Sequence, residues 1–189
     1  TDFLFDLLEQ HSLYQASQYL ALKVLNQSSC TIDNDLEKQL ESYRAMMPGN
    51  VAPDIVFNGD QYAPGYSENK TLDKLSDLKS NYTLIVFGAS WCPNCKTDAL
   101  ELLKFYDSWK EKNVEIIYIS IDTDKTAFET AYKNAPWQTY CDYKGWETKA
   151  AKEYYISGTP TYFLLDVDNK ILVRPNSVAH ANTWIEYKL

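Results

Sequence analysis

Leu84-Ile85-Val86-Phe87-Gly88-Ala89-Ser90-Trp91-Cys92-Pro93-Asn94-Cys95-Lys96 is the stretch that decides the fold. Its first four residues form an apolar run of the kind found in a buried strand. Small residues end the run, and a Cys-x-x-Cys pair then opens a long helical pattern. Proline suits the first helical position, because the N–H it lacks would be unpaired there anyway. With Pro93 so placed, Cys92 falls at the N-cap, where the helix macrodipole favours a thiolate. Cys95 lies one turn further in and is expected to be the more buried. A free thiol titrates near ~8.5, and a helix N-terminus lowers that to roughly 3.5–7.5. The expected division of labour is that Cys92 attacks a partner's disulfide. Cys95 then resolves the mixed disulfide by attacking the Cys92 sulfur.

Away from this pair the chemistry is sparse. Of four cysteines, Cys30 and Cys141 remain, and His11 and His180 are the two histidines. A zinc site built on Cys-x-x-Cys needs a second pair or two closely spaced histidines, and these four residues are widely separated, so no metal is expected. A purely structural disulfide is disfavoured too, since closing so short a loop removes little chain entropy. His11 sits on an apolar stripe and reads as a core or boundary residue. Cys30 and Cys141 read as two unpaired thiols behaving as small apolar residues. A disulfide between them, tying the N-terminal segment to the core, is the alternative.

At 189 residues the chain can hold one sizeable core, or a core with a smaller appendage. Hydrophobic residues at 45% and charged residues at 23% are ordinary for a globular protein. A net charge of −8 argues against nucleic-acid binding, which needs clustered Lys and Arg. No apolar run is long enough to span a bilayer. The sequence opens at Thr1 without a basic-plus-apolar leader, and a removed signal peptide or lipoprotein leader is the expectation. Fifteen tyrosines and five tryptophans give a ring-rich chain, with many rings expected in the core and others suited to holding extended polypeptide partners.

The patterning divides the chain into two regions. Residues 2–47 read as helical, either as a first helix buried on two sides or with a break near Ser12, where Ser12-Leu13-Tyr14-Gln15 fits a capping box. A further helix places Leu36, Leu40, Tyr43 and Met47 on one stripe, and Pro48-Gly49 stops it. From Asn50 the texture changes. Ala52–Phe57 reads as a short strand, Asn58-Gly59-Asp60 as a turn and Tyr62–Tyr66 as loop. A helical turn near Leu75 precedes the strand Thr83–Phe87 and the helix Pro93–Lys112, whose apolar stripe is Ala99, Leu102, Leu103 and Tyr106. Val114–Ile121 is apolar enough for a central parallel strand. Helical pattern returns at 126–134 and near 148–155. Thr161–Asp166 and Lys170–Arg174 form a hairpin, and Ser177–Tyr187 looks helical. That order predicts an α/β sandwich with a mixed sheet.

Trp91-Cys92-Pro93-Asn94-Cys95 after a buried strand, with Gly158-Thr159-Pro160-Thr161 entering another, resembles the thioredoxin superfamily. More narrowly, Ala52-Pro53-Asp54, Leu75-Ser76-Asp77-Leu78-Lys79 and the Ala89-Ser90-Trp91 lead-in are similar to TlpA/ResA-like extracytoplasmic thiol–disulfide oxidoreductases. The likeness covers about residues 51–175. It implies a thioredoxin-like three-layer α/β sandwich with a mixed central sheet over 51–189, preceded by an α-helical N-terminal segment, 1–50. It further implies a redox-active centre without cofactor, and protein dithiol or disulfide substrates. The expected role is that of a reductant fed by a membrane-bound thiol donor in the bacterial periplasm or cell envelope.

The family pattern also implies a cis peptide before Pro160, set beside the cysteines so that Thr159 pairs with a bound strand. Trp91, Pro93, Thr159 and Pro160 are the substrate-binding set so implied. Thioredoxin carries a buried acid six residues before its first cysteine, where this chain has Val86. Some ResA-like members instead carry a carboxylate three residues after the second cysteine, which here is Asp98. Asp98 is therefore the candidate acid/base helper for Cys95, against the plainer reading of an exposed first-turn acid complementing the helix dipole. Lys96 reads as a solvated charge. A thiol peroxidase is the weaker enzymatic alternative, since the Pro-x-x-x-Thr stretch of peroxiredoxins is missing and Trp91 stands directly before Cys92. A thioredoxin-fold binding module is the contrasting class, and Cys92, Cys95 and Pro160 together count against it.

Overall fold

The Leu84–Phe87 run lies inside strand β2 of a computed structural model that describes residues 44–62 and 72–189, with scattered helical positions between 4 and 23. The expected Ser12 capping box, His11, Cys30 and the 63–66 loop lie outside the described residues. Along the described chain come β1 (Asp60–Tyr62), a 3-10 turn (Leu75–Asp77), β2 (Tyr82–Gly88), α1 (Pro93–Glu111) and β3 (Val114–Ser120). Next are α2 (Lys125–Tyr132), β4 (Gln138–Cys141), a second 3-10 turn (Gly145–Glu147) and α3 (Lys149–Glu153). The hairpin β5 (Thr161–Asp166) and β6 (Ile171–Val173) and helix α4 (Val178–Lys188) complete the order.

The sheet order is β1-β4-β3-β2-β5-β6. β2, β3 and β4 run parallel, whereas β1, β5 and β6 each pair antiparallel with their neighbours. Successive side chains of a strand point to opposite faces, and β2 divides its core residues accordingly. Ile85 and Phe87 join a cluster with Ile117, Phe163, Ile55 and Tyr154. Leu84 and Val86 join Tyr118, Tyr162, Leu102 and Trp109 on the other side. With α3 and the 46–57 segment on one face and α1, α2 and α4 on the other, the fold is the expected three-layer α/β sandwich.

Three expectations need correction. Ala52–Phe57 is extended but is not a strand of the sheet. It makes one isolated bridge, Val56 to Lys74, with Val51 just before it bridging Lys170; Pro53 has no N–H to offer a ladder, and Asp54 turns its carboxylate to the backbone and hydroxyl of Ser76. The first strand is instead Asp60–Tyr62, which begins in the supposed turn and runs into the supposed loop. Gly59 makes that pairing feasible, since a Cβ there would lie 2.2 Å from the Cys141 carbonyl oxygen. On α1 the buried stripe is Cys95, Leu102, Tyr106 and Trp109, whereas Leu103 is 49% exposed. The seven-residue step from Leu102 to Trp109 keeps the helix face in line, and Leu103 falls off its edge. Met46 enters the core and Met47 is half-buried; Leu36, Leu40 and Tyr43 of the expected stripe lie outside the described residues.

Segment 44–50 is stitched to the hairpin: the Gly49 N–H donates to the Ile171 carbonyl at 2.7 Å, and the Ile171 N–H to the Asn50 carbonyl at 2.8 Å.

Candidate active site

Cys92 is the N-cap of α1 and Pro93 its first residue, as the spacing predicts. The two cysteines form a disulfide with a Cα–Cα distance of 5.3 Å. The Cys95 N–H donates to Cys92 Sγ at 3.1 Å, so the sulfur takes one of the donors a helix leaves unpaired at its start. The same donor, with the macrodipole behind it, favours negative charge on Cys92 in the reduced protein. Exposure separates the thiols only slightly, at 4% for Cys92 and 1% for Cys95. Their positions differ more: Cys92 lies at the helix mouth and Cys95 inside the first turn.

The Thr159 carbonyl oxygen is 3.6 Å from Cys92 Sγ. In the disulfide that sulfur carries no proton, so this is a contact; once reduced, the thiol has an acceptor there. The Thr159–Pro160 peptide bond is cis. Both residues are half-buried, and Pro93 and Asn94 are exposed. Trp91 is 54% exposed, and its ring centroid is 6.3 Å from that of Trp146, which is 43% exposed. Cys92, Cys95, Trp91, Pro93, Thr159 and Pro160 thus gather at one end of the sheet.

Asp98 is half-buried, one turn beyond Cys95, and does not lie in the first helical turn. Its Oδ2 accepts a short hydrogen bond from the Tyr162 hydroxyl of β5. Burial raises the Asp98 carboxyl above the ordinary range; the Tyr162 bond opposes that rise, and Glu101 adds to it. The simple picture of a solvated acid complementing the dipole does not fit these surroundings. Lys96 is exposed, as expected.

The description "Thioredoxin-like" belongs to the family model that matches residues 80–171. Thiol–disulfide oxidoreductase ResA of Bacillus cereus is 34% identical over 132 residues, covering 67% of this chain and 68% of that protein. This chain belongs to the ResA-like branch of the thioredoxin superfamily. A thiol–disulfide oxidoreductase from Bacteroides fragilis superposes with a TM-score of 0.61 at 28% identity, covering 74% of this chain and 100% of the other. Human nucleoredoxin is 30% identical over 111 residues, 57% of this chain, and the chain spans only 25% of its length. Among the described residues, no helix is long and apolar enough to cross a membrane.

Sequence reasoning missed the support beneath the ResA-like loop. Asp122, 1% exposed just past β3, accepts from the Ser90 N–H at 3.0 Å, the Ser90 hydroxyl at 2.7 Å and the Ser120 hydroxyl at 2.6 Å. These bonds tether the residue two before Cys92 to the neighbouring strand end. The available signal was an acid immediately after an apolar parallel strand, since sites in such sheets collect at the strands' carboxyl ends. Cys141 is free and buried, and burial pushes its thiol up to about 11, in keeping with an inert core thiol.

Proposed function

We propose that the chain is a protein thiol–disulfide oxidoreductase that works as a reductant through Cys92 and Cys95, with residues 51–189 as the working unit. The observation that carries this reading is the Cys92–Cys95 disulfide, with Cys92 Sγ capping α1 and touching the Thr159 carbonyl. In the reduced form the Cys92 thiolate attacks a substrate disulfide, a mixed disulfide forms, and one substrate sulfur leaves as thiolate. Cys95 loses its proton and attacks Cys92 Sγ. The intramolecular disulfide forms, the mixed disulfide breaks, and the second substrate sulfur leaves. Two electrons have then passed from the dithiol to the substrate.

Asp98 is the acid/base helper for the Cys95 proton. Trp91, Pro93, Thr159 and Pro160 form the substrate-binding rim, where the Thr159 backbone hydrogen-bonds an extended segment beside the target cysteine. A membrane-bound thiol donor in the periplasm or cell envelope returns the electrons. The ResA relationship supports the exchange chemistry and the extracytoplasmic location.

Reduction of insulin by a dithiol tests the activity. The wild type is expected to accelerate precipitation of the insulin chains and Cys92→Ser to abolish the acceleration. A wild type no faster than the dithiol alone, and equal to Cys92→Ser, overturns the reading.

A further inference from the structure

A partly buried polar contact joins α1 to strand β5 at the active-site end of the sheet. Val86 of β2 is paired in register with Tyr118 on one side and Tyr162 on the other, so the three lie across β3, β2 and β5. All three are buried in the cluster with Leu102 and Trp109. Tyr118 turns its hydroxyl to that of Tyr132 at 3.1 Å. Tyr162 turns its own toward the helix and donates to Asp98 Oδ2. Asp98 Oδ1 makes no hydrogen bond among the described residues. On a helix, residues three apart are neighbours, with roughly 5–6 Å between Cβ atoms. Asp98 therefore stands beside Cys95, a thiol that is 1% exposed.

We propose that Tyr162 is a positioning residue for the resolving step: its phenol fixes one oxygen of Asp98 and leaves the other to exchange a proton with Cys95. This rests on the reading of Asp98 as the Cys95 helper. During resolution the Cys95 proton passes to the Asp98 carboxylate, the Cys95–Cys92 bond forms and the Cys92–substrate bond breaks. The substrate leaves as a thiolate, and Asp98 returns its proton to that thiolate or to water. The phenol stabilises the carboxylate form, opposing the effect of burial and of Glu101, which faces Asp98 from its own helix. Tyr118 from β3 faces Tyr162, and Tyr132 from α2 faces Tyr118. Loss of the phenol therefore moves the titration of Asp98 upward.

The reduced full chain, mixed with a chromogenic aromatic disulfide, releases one thiol when Cys92 attacks and a second when Cys95 resolves. The second phase is followed against pH for wild type, Tyr162→Phe, Asp98→Asn and the double variant. Tyr162→Phe is expected to shift the inflection of the second phase upward by about one pH unit, which on its acid side is about a tenfold slower release. Asp98→Asn removes the inflection, and adding Tyr162→Phe to it changes nothing more. A Tyr162→Phe profile equal to wild type, with the inflection lost in Asp98→Asn, overturns the role of Tyr162 and leaves that of Asp98 standing. A wild-type profile in Asp98→Asn overturns both. Should Tyr162→Phe not fold, Asp98→Glu reads the same coupling, because the longer side chain moves the carboxyl off the phenol. An upward shift supports the coupling, and an unmoved inflection contradicts it.

Discussion

The carbonyl oxygen of Thr159 lies 3.6 Å from Cys92 Sγ, although 67 positions separate the two in sequence. The sheet explains the approach. Phe87 pairs with Thr161 across β2 and β5, so the chain leaving Phe87 and the chain arriving at Thr161 lie at the same end of the sheet. An extended substrate lying on Cys92 would meet this half-buried backbone first. A peptide disulfide N-methylated at the residue beside its cysteine, and so unable to donate to Thr159, is expected to lose about tenfold in kcat/KM, the worth of roughly one hydrogen bond. Stopped-flow rates with the methylated and unmethylated peptides measure the difference.

Asp122 holds the loop that carries Trp91 and Cys92 through its bonds to Ser90. Asp122→Ala leaves the Ser90 N–H and the Ser120 hydroxyl without their acceptor beneath a buried surface. A loss of ~2–4 kcal/mol is expected by urea denaturation, with slower insulin reduction at temperatures where the variant remains folded.

The two faces of α1 give a paired test. Leu102→Ala, at a fully buried position, should cost ~2–5 kcal/mol. Leu103→Ala, at a position 49% exposed, should stay within about 0.5 kcal/mol of wild type. Equal losses from the two substitutions would contradict the assigned helix face.

Much of this architecture was legible in the sequence because local chemistry and tertiary role coincide. Pro93 and Cys92 announce the start of α1, Ser177 caps α4 through the His180 N–H, and Asn169 takes a positive φ at the β5–β6 turn. The edge was not legible. β4 is buried throughout yet reads Gln138-Thr139-Tyr140-Cys141, with no apolar run to mark it. Its polar groups are satisfied by β1: Gln138 Nε2 donates to Gln61 Oε1 at 2.7 Å, and the Thr139 hydroxyl to the Tyr62 carbonyl at 3.2 Å. Burial of this kind depends on partners distant in sequence. The same holds at the site, where the cysteines declare themselves but Asp122 and Tyr162 reach the site only through their hydrogen bonds to Ser90 and Asp98.

Gly59→Ala tests that edge. The added methyl would meet the backbone of Cys141 and Asp142, at 2.2 Å from the carbonyl oxygen and 2.9 Å from the Asp142 Cα, and neither is a side chain that can swing aside. A loss of ~1–3 kcal/mol is expected, read as a lower urea midpoint.

Cys141 predicts an alkaline signature. Burial lifts its thiol to about 11 in the folded protein, above the ordinary range of a free thiol. The unfolded chain therefore gives up this proton first, and stability falls as pH rises from about 9 towards 11, by ~2 kcal/mol for this group. Cys141→Ala should flatten that part of the stability–pH curve. At neutral pH the native Cys141 should resist iodoacetamide.

Covalent trapping tests the central claim most directly. Cys95→Ser removes the resolving sulfur and leaves Cys92 at the helix mouth. Mixed with an oxidised protein substrate, the reduced variant is expected to accumulate a dithiol-reversible adduct, with mass spectrometry locating the bond at Cys92. The Cys92→Ser variant should form none. No adduct on Cys95→Ser, or equal trapping through Cys95 in Cys92→Ser, would contradict the assignment of Cys92 as the attacking thiol.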